Sequence, residues 1–514
     1  MTAPTDPDDL EDGPAPIALS SDEFRALGYR LVDRIAEFLE TLPERPVMSE
    51  VTPAGVRALL GQGPMPEDGA DPAMIIDEAA SLIIDHNRLT GHPRQWGYII
   101  GSAAPLGALG DLLAGAVNPN VVSWPSSPMA TEIELQAVCW IADLLGYPAD
   151  CGGLFTSGGN TANFIGFLAA RRARADWDVR TAGIGDARRL RVYVSRETHT
   201  WVEKAADLFG LGTDAIRWIE TDGALRMDVA ALERQIDEDQ ANGDRPFLVV
   251  GTAGTVSTGA VDPLPALAAL CRERDLWFHV DGAYGALAIV APDAPDALSG
   301  LREADSIAVD AHKWLYAPLE GGCALVRDRK TLRDTFSYRP PYYHYPGDLD
   351  EALVNFHDYG LQNSRGFRAL KVWMILRQLG RKQYARLVAR DIGHARELHQ
   401  RLDEAPDIEA VTQALSITTF RYAPGDLAPA TEAIESYLDD LNAALLTRIQ
   451  RSGEAFLSNA VVGGRFLLRA CITNFRTTRD DVRALPEIVT RLGGELDAEM
   501  RPEALGRAGG EARR

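Results

Sequence analysis

Lysine is scarce in this chain. Only five of its 52 basic residues are lysines, namely Lys204, Lys313, Lys330, Lys371 and Lys382. Chemistry that needs a primary amine on a side chain therefore has five candidates. Positive charge as a whole is also short, because 74 acidic residues leave a formal net charge of −22. Such an excess repels polyphosphate backbones and anionic bilayers, which argues against nucleic-acid and membrane-surface binding. Cysteine is sparse and lacks any CxxC spacing: Cys139, Cys151, Cys271, Cys323 and Cys471 are scattered. That distribution argues against a disulfide framework or a zinc site and fits reduced thiols in the cytoplasm. No long apolar run is present either, since the best stretch, Tyr98 to Val117, is broken by Pro105, Asp111 and four glycines. A basic region followed by an apolar one, the pattern of a secretory signal, is absent from the first residues.

What remains is the composition of a folded globular protein, 46% hydrophobic and 25% charged over 514 residues. Residues 1–19, rich in Pro, Asp and Gly, read as a disordered lead-in. Ser20 and Glu23 then form a capping box, and Phe24, Leu27, Leu31, Ile35, Phe38 and Leu42 follow at helical spacing until Pro43. A second helical pattern covers 73–87. From about residue 118, short β-branched runs at 190–194, 247–250, 277–280, 306–309 and 323–326 alternate with helical ones such as 162–171 and 264–274. That alternation predicts a largely parallel sheet covered by helices, with ligands expected at the carboxyl ends of its strands. A helical run over 367–379 ends at Gly380. Beyond it, helices at 384–402 and 434–451 and a strand at 465–472 predict a smaller α/β unit. The expected division is 1–19 lead-in, 20–103 helical arm, 104–378 large domain and 379–514 small domain.

Four segments put polar residues at these strand ends. Asp310, Ala311, His312 and Lys313 follow the run 306–309, where a lysine sheltered in a pocket becomes an amine nucleophile for a Schiff base. Asp281 follows 277–280, and a buried carboxylate there needs a positive partner such as a protonated pyridine nitrogen. Gly158, Gly159 and Asn160 open the helix 162–171, the arrangement that points backbone N–H groups at a phosphate. His199 follows 190–194, where a flat imidazole can stack on an aromatic ring. Each segment alone also fits an ordinary structural role: a surface lysine, an Asp-Gly turn, a tight helix start, a satisfied histidine. Together and in this order they are the parts of a pyridoxal phosphate site.

With these residues in place, the chain resembles the group II pyridoxal-dependent decarboxylases, the family of aromatic-amino-acid, histidine and glutamate decarboxylases. Asp281 and the His312-Lys313-Trp314 segment carry the resemblance most specifically. Ser123 to Pro128 with Thr131 to Glu134, Phe367 to Trp373, and Leu468-Arg469 with Asn474 extend it. The resemblance implies a type I pyridoxal-enzyme fold: a mainly parallel seven-stranded sheet with helices on both faces, an N-terminal helical arm and a small C-terminal domain. It implies that Lys313 holds the cofactor, Asp281 pairs with the ring nitrogen, His199 stacks on the ring and Ala283 packs against its other side. Gly158, Gly159 and Asn160 would cradle the phosphate with Asp310 and His312, and Thr255 would stand near the ring. Val256 departs from the Thr usual after that position, and Asn160 from the usual Ser.

The family's catalytic loop falls near 338–348, and gapless counting puts its proton-donating tyrosine at Tyr342, with the neighbouring Tyr343 as the alternative. Trp96, Tyr98 and Ser364 are the expected substrate contacts, with Ser364 trimming the space for an indole. The implied activity is decarboxylation of an L-amino acid, aromatic with a phenolic or phenyl side chain, to the amine. Oxygen-dependent conversion to an aldehyde ranks second, ahead of an aminotransferase or a non-catalytic assembly protein. No metal is expected. A homodimer with its active site at the interface is the implied assembly, the 20–42 helix crossing between copies.

Overall fold

The computed structural model describes residues 15, 17–185, 189–338, 353–427 and 431–506. The chain divides into two compact units, Met1–Leu89 and Thr90–Arg514.

The first unit is built on three helices, Ser21–Thr41, Pro53–Leu60 and Pro72–Asp85, none of which buries a residue. The capping box at Ser20 and Glu23 forms as expected. Arg30 Nε donates to Asp77 at 2.8 Å and Arg34 to Ser81 at 3.0 Å, tying the first helix to the third. Apolar side chains of the first helix, among them Phe24, Tyr29 and Val32, stay exposed.

In the second unit seven strands form one sheet: β1 Gly152–Thr156, β2 Leu190–Ser195, β3 Ile216–Ile219, β4 Arg245–Thr252, β5 Trp277–Asp281, β6 Ser306–Asp310 and β7 Gly322–Val326. Their order is β1-β7-β6-β5-β4-β2-β3. Strands β3, β2, β4, β5 and β6 run parallel, and β7 runs antiparallel to both β6 and β1. Strands β1, β2, β5, β6 and β7 are buried along their whole length, as a sheet covered on both faces requires.

Four further strands, β8 Ile408–Ala414, β9 Ile417–Tyr422, β10 Ser458–Val462 and β11 Arg465–Cys471, form an antiparallel sheet in the order β10-β11-β9-β8. The helices Glu432–Ser452 and Arg479–Met500 pack with it around a separate apolar core. A long helix, Ala369–Glu404, joins the two sheets and breaks at Gly380, whose φ of 59° no other residue type adopts cheaply.

The expected boundary at 103 falls instead at Leu89. Residues 95–102 are bonded into the larger unit: Trp96 N–H donates to Phe456 O at 2.9 Å and Gly101 N–H to His312 O at 3.0 Å. Among the described residues, no helix is long and apolar enough to cross a membrane.

Candidate active site

A cavity of about 360 Å³ opens where β1, β2, β4, β5 and β6 end. Beyond β1, Gly158 adopts φ 149° and caps the helix Gly159–Arg174 without a side-chain bond. The first N–H groups of that helix are thus left for a ligand. A Cβ on Gly159 would lie 2.6 Å from Asp310 Oδ2, so only glycine lets the turn approach β6 this closely. Asn160 lines the same wall, with Ser157 Oγ and Thr161 Oγ1 3.0 Å apart beside it.

Asp281 ends β5 and is buried at the cavity wall. Its Oδ2 accepts the indole N–H of Trp201 at 2.8 Å, and its Oδ1 the backbone N–H of Ala283 at 3.2 Å. His199 follows β2, and its Nδ1 accepts the backbone N–H of Trp201 at 3.2 Å. Desolvation at the cavity lowers the His199 pKa, with Asp281 opposing and Lys313 reinforcing that shift. Its neutral form therefore carries the proton on Nε2. Ala283 lines the cavity beside Asp281.

Lys313 lies in the single helical turn Ala311–Trp314 after β6, and its Nζ stands 3.1 Å from Asp310 Oδ2. His312 Nε2 lies 3.7 Å from the same oxygen, while its Nδ1 is 3.1 Å from Gly321 O. Burial lowers the His312 pKa, against the charge of Asp310. Of the other lysines, Lys371 is committed to Asp111 at 3.1 Å, which leaves Lys313 as the amine of this cavity.

The strand ends thus bring together Gly158, Gly159, Asn160, His199, Asp281, Ala283, Asp310, His312 and Lys313. Other expected residues lie elsewhere. Thr255 is fully buried behind the lining, its Oγ1 accepting Ala260 N–H at 3.2 Å and lying 3.1 Å from Thr258 Oγ1. Its neighbours Gly254 and Val256 and the unforeseen Thr252 line the cavity in its place. Trp96, expected to touch substrate, is buried in the small-sheet core with its N–H given to Thr477 at 3.1 Å, so packing consumes its surface. Tyr98 is exposed, its ring centroid 6.0 Å from that of Phe456, and it too is absent from the lining. Ser364 is exposed and outside the cavity. Tyr342 lies outside the described residues.

Trp201, Asn163 and Tyr284 were not foreseen. Tyr284 stacks on Trp314 at 5.1 Å and 12°, next to Lys313. Aromatic residues after a strand read as core, and only their hydrogen-bond partners, far away in the chain, give them another meaning.

Pyridoxal phosphate fits these residues. Two buried oxygens on the cavity lining, Thr252 Oγ1 and Asp310 Oδ1, have no protein partner and are free for a ligand's donors. A lysine amine, a buried carboxylate and an open helix N-terminus lining one cavity of a mainly parallel sheet define the class as a pyridoxal phosphate enzyme. Residues 57–423 match the family described as the pyridoxal-dependent decarboxylase conserved domain. The aromatic-L-amino-acid decarboxylase of Bacillus atrophaeus is 35% identical over 481 residues, 93% of this chain and 97% of that one. A phenylacetaldehyde synthase of Arabidopsis thaliana is 29% identical, with 88% and 92% of the two chains covered. A crystal structure of Oryza sativa TDC with PLP and tryptamine is similar at TM-score 0.87 and 28% identity, over 94% of this chain and 100% of that one. The chain belongs to the pyridoxal-dependent decarboxylase family and is a pyridoxal phosphate-dependent amino-acid decarboxylase.

Proposed function

We propose that the chain converts an aromatic L-amino acid, with a phenolic or phenyl side chain favoured, to the amine and carbon dioxide. The observation that carries this reading is the convergence of Lys313, Asp281 and His199 on one cavity, in a chain 35% identical to an aromatic-L-amino-acid decarboxylase. Pyridoxal phosphate would supply here the electron-withdrawing ring that cleavage of a Cα–carboxylate bond needs. Lys313 would hold it, Asp281 would pair with its ring nitrogen, and the N–H groups after Gly158 would bind its phosphate. His199 and Ala283 would pack against its ring. Asp310, at 3.1 Å, orients the Lys313 amine. A loop tyrosine, Tyr342 or its neighbour Tyr343, would deliver the proton to Cα.

A screen of all L-amino acids for carbon dioxide release, with pyridoxal phosphate added and Lys313→Ala as control, tests the reading. Release from an aromatic substrate, lost in the variant, is expected. Release from none, or equal release by the variant, refutes it.

Aldehyde formation is the second reading, because a phenylacetaldehyde synthase is among the relatives. Amine, aldehyde and carbon dioxide measured together in oxygen separate the two. Aldehyde equal to carbon dioxide would displace the first.

A homodimer with the cavity at its interface completes the proposal. The helix Pro105–Val117 exposes Leu109, Leu112, Leu113 and Val117 on one face, an apolar ridge suited to a second copy. Because Ser364 is exposed outside its own chain's cavity, substrate contact through it would come from the partner copy. Deleting residues 1–45 should give unstable or monomeric protein, and an intact, active dimer would refute this assembly.

A further inference from the structure

We infer that Trp201 is a positioning residue that orients both cofactor-facing groups, Asp281 through its indole N–H and His199 through its backbone N–H. The inference rests on the pyridoxal phosphate reading of the cavity. Trp201 is fully buried at the start of the helix Trp201–Leu208. Its Nε1 lies 2.8 Å from Asp281 Oδ2, and its backbone N–H donates to His199 Nδ1 at 3.2 Å.

The first bond, together with the Ala283 N–H on Oδ1, gives each oxygen of the Asp281 carboxylate one fixed donor. The plane of the carboxylate is set before any ligand arrives, so it meets a ring N–H without reorganising. The second bond fixes the neutral tautomer of His199 with its proton on Nε2. One residue thereby sets the geometry of two.

A layer behind Trp201 holds the indole in place. Its ring meets His279 edge to face, with centroids 5.7 Å apart at 79°. His279 lies two residues before Asp281 on the same face of β5. Its Nδ1 is 2.7 Å from Ser306 Oγ and its Nε2 2.7 Å from Asn163 Oδ1. Trp277 Nε1 donates to Ser306 Oγ at 2.8 Å. The serine hydroxyl hydrogen is then free for His279 Nδ1, and the His279 proton on Nε2 goes to Asn163. The bonds around His279 are thus accounted for by neutral partners.

That neutrality is the reason an indole suits the position. Lysine or arginine there would pair with Asp281 and compete with the ring nitrogen for its charge. An indole N–H directs the carboxylate and leaves the charge to the cofactor.

The test uses Trp201→Phe, which keeps an aromatic ring and the backbone N–H, removes the indole donor and gives up part of the buried volume. Pyridoxal phosphate affinity of the apoprotein is measured, and the visible absorption band of the holoenzyme is titrated with pH. W201F should bind the cofactor about tenfold or more weakly, in the range of a lost hydrogen bond to a charged group. The band's titration midpoint should move by about half a pH unit or more, and W201F should add nothing to Asp281→Asn in the double variant. A tryptophan that serves packing alone lowers the melting temperature but leaves the midpoint and affinity at their wild-type values. That result overturns the inference. If W201F does not fold, 15N-tryptophan labelling of the wild-type protein carries the test. The indole resonance perturbed by Asp281→Asn should also move on cofactor binding, and an unmoved resonance overturns the inference. The wild-type titration reports separately on the cofactor reading, so the two failures are told apart.

Discussion

A methyl group built on Gly159 would stand 2.6 Å from Asp310 Oδ2, the oxygen that also lies 3.1 Å from Lys313 Nζ. The phosphate-cradle turn and the lysine's carboxylate partner are thus packed against one another through a glycine. Gly159→Ala must displace one of them. Because the clash is local, the variant should fold with a melting temperature near wild type. Its affinity for pyridoxal phosphate, measured by fluorescence titration, should fall by about tenfold or more. Unchanged affinity would show that the turn can shift freely.

A second prediction concerns the buried pair of Arg365 and Glu134, whose side chains are 1% and 0% exposed. Glu134 Oε1 also accepts Phe155 N–H at 2.8 Å, and Arg365 donates to Val121 O at 2.9 Å and Phe155 O at 2.8 Å. The pair therefore ties the strand before the phosphate turn to the segment that carries Ser364. Removing one partner strands a buried charge, so Arg365→Met should cost about 3–5 kcal/mol by chemical denaturation. Removing both, as Glu134→Leu with Arg365→Met, should recover part of that loss. A single variant within about 1 kcal/mol of wild type would contradict the account.

Most of the large sheet was legible because a strand covered on both faces has to be a short apolar run. β2, β4, β5, β6 and β7 all read that way. β1 did not, since it begins with two glycines. A Cβ on Gly153 would lie 2.7 Å from Val138 Cγ1, so the small residues that hide the strand are what allow its packing. β8 was missed because it is half exposed and mixes Glu, Thr and Gln with its apolar positions. The strand-end rule located Lys313, Asp281, His199 and the phosphate turn. It could not locate Trp201, whose partner Asp281 is 80 residues away. The expected substrate contact Trp96 instead gives its indole N–H to Thr477, 381 residues along. Long-range pairing decides whether an aromatic residue faces a ligand or a core, and a local pattern carries no trace of it.

Asp391 gives a prediction on pH. It is fully buried on the long helix, and its Oδ2 accepts Trp314 Nε1 at 3.1 Å and Tyr316 O–H at 2.8 Å. Burial raises its pKa from 3.8 to about 7, against the Tyr316, Arg390 and Trp314 interactions. For an acid with a raised folded pKa, the native state binds more protons than the unfolded one. Its contribution is full below 3.8 and is lost as pH rises through about 7. Asp391→Asn keeps an acceptor for both donors and cannot ionise. Its stability relative to wild type should rise between those two pH values, by up to roughly 4 kcal/mol. A pH-independent difference in denaturation midpoint between the two proteins would refute this.

His279 should act in the opposite sense. It is fully buried between Ser306 and Asn163, and desolvation lowers its pKa from 6.5 to about 4, with Asp281 opposing. Between those values the unfolded chain binds the proton and the native protein does not, so stability rises with pH across that window. The contribution is fully present above 6.5 and is lost as pH falls through about 4. The gap corresponds to roughly 3 kcal/mol. His279→Gln, which does not titrate, should lose less stability than wild type on acidification from pH 6.5 to 4, even if it starts lower. Because His279 lies against Trp201, acid should also loosen the setting of Asp281 before the protein unfolds. Cofactor affinity measured along the same pH series should therefore fall ahead of the unfolding signal in the wild type and track it in H279Q. Coincident curves in both proteins would mean that the buried histidine serves stability alone.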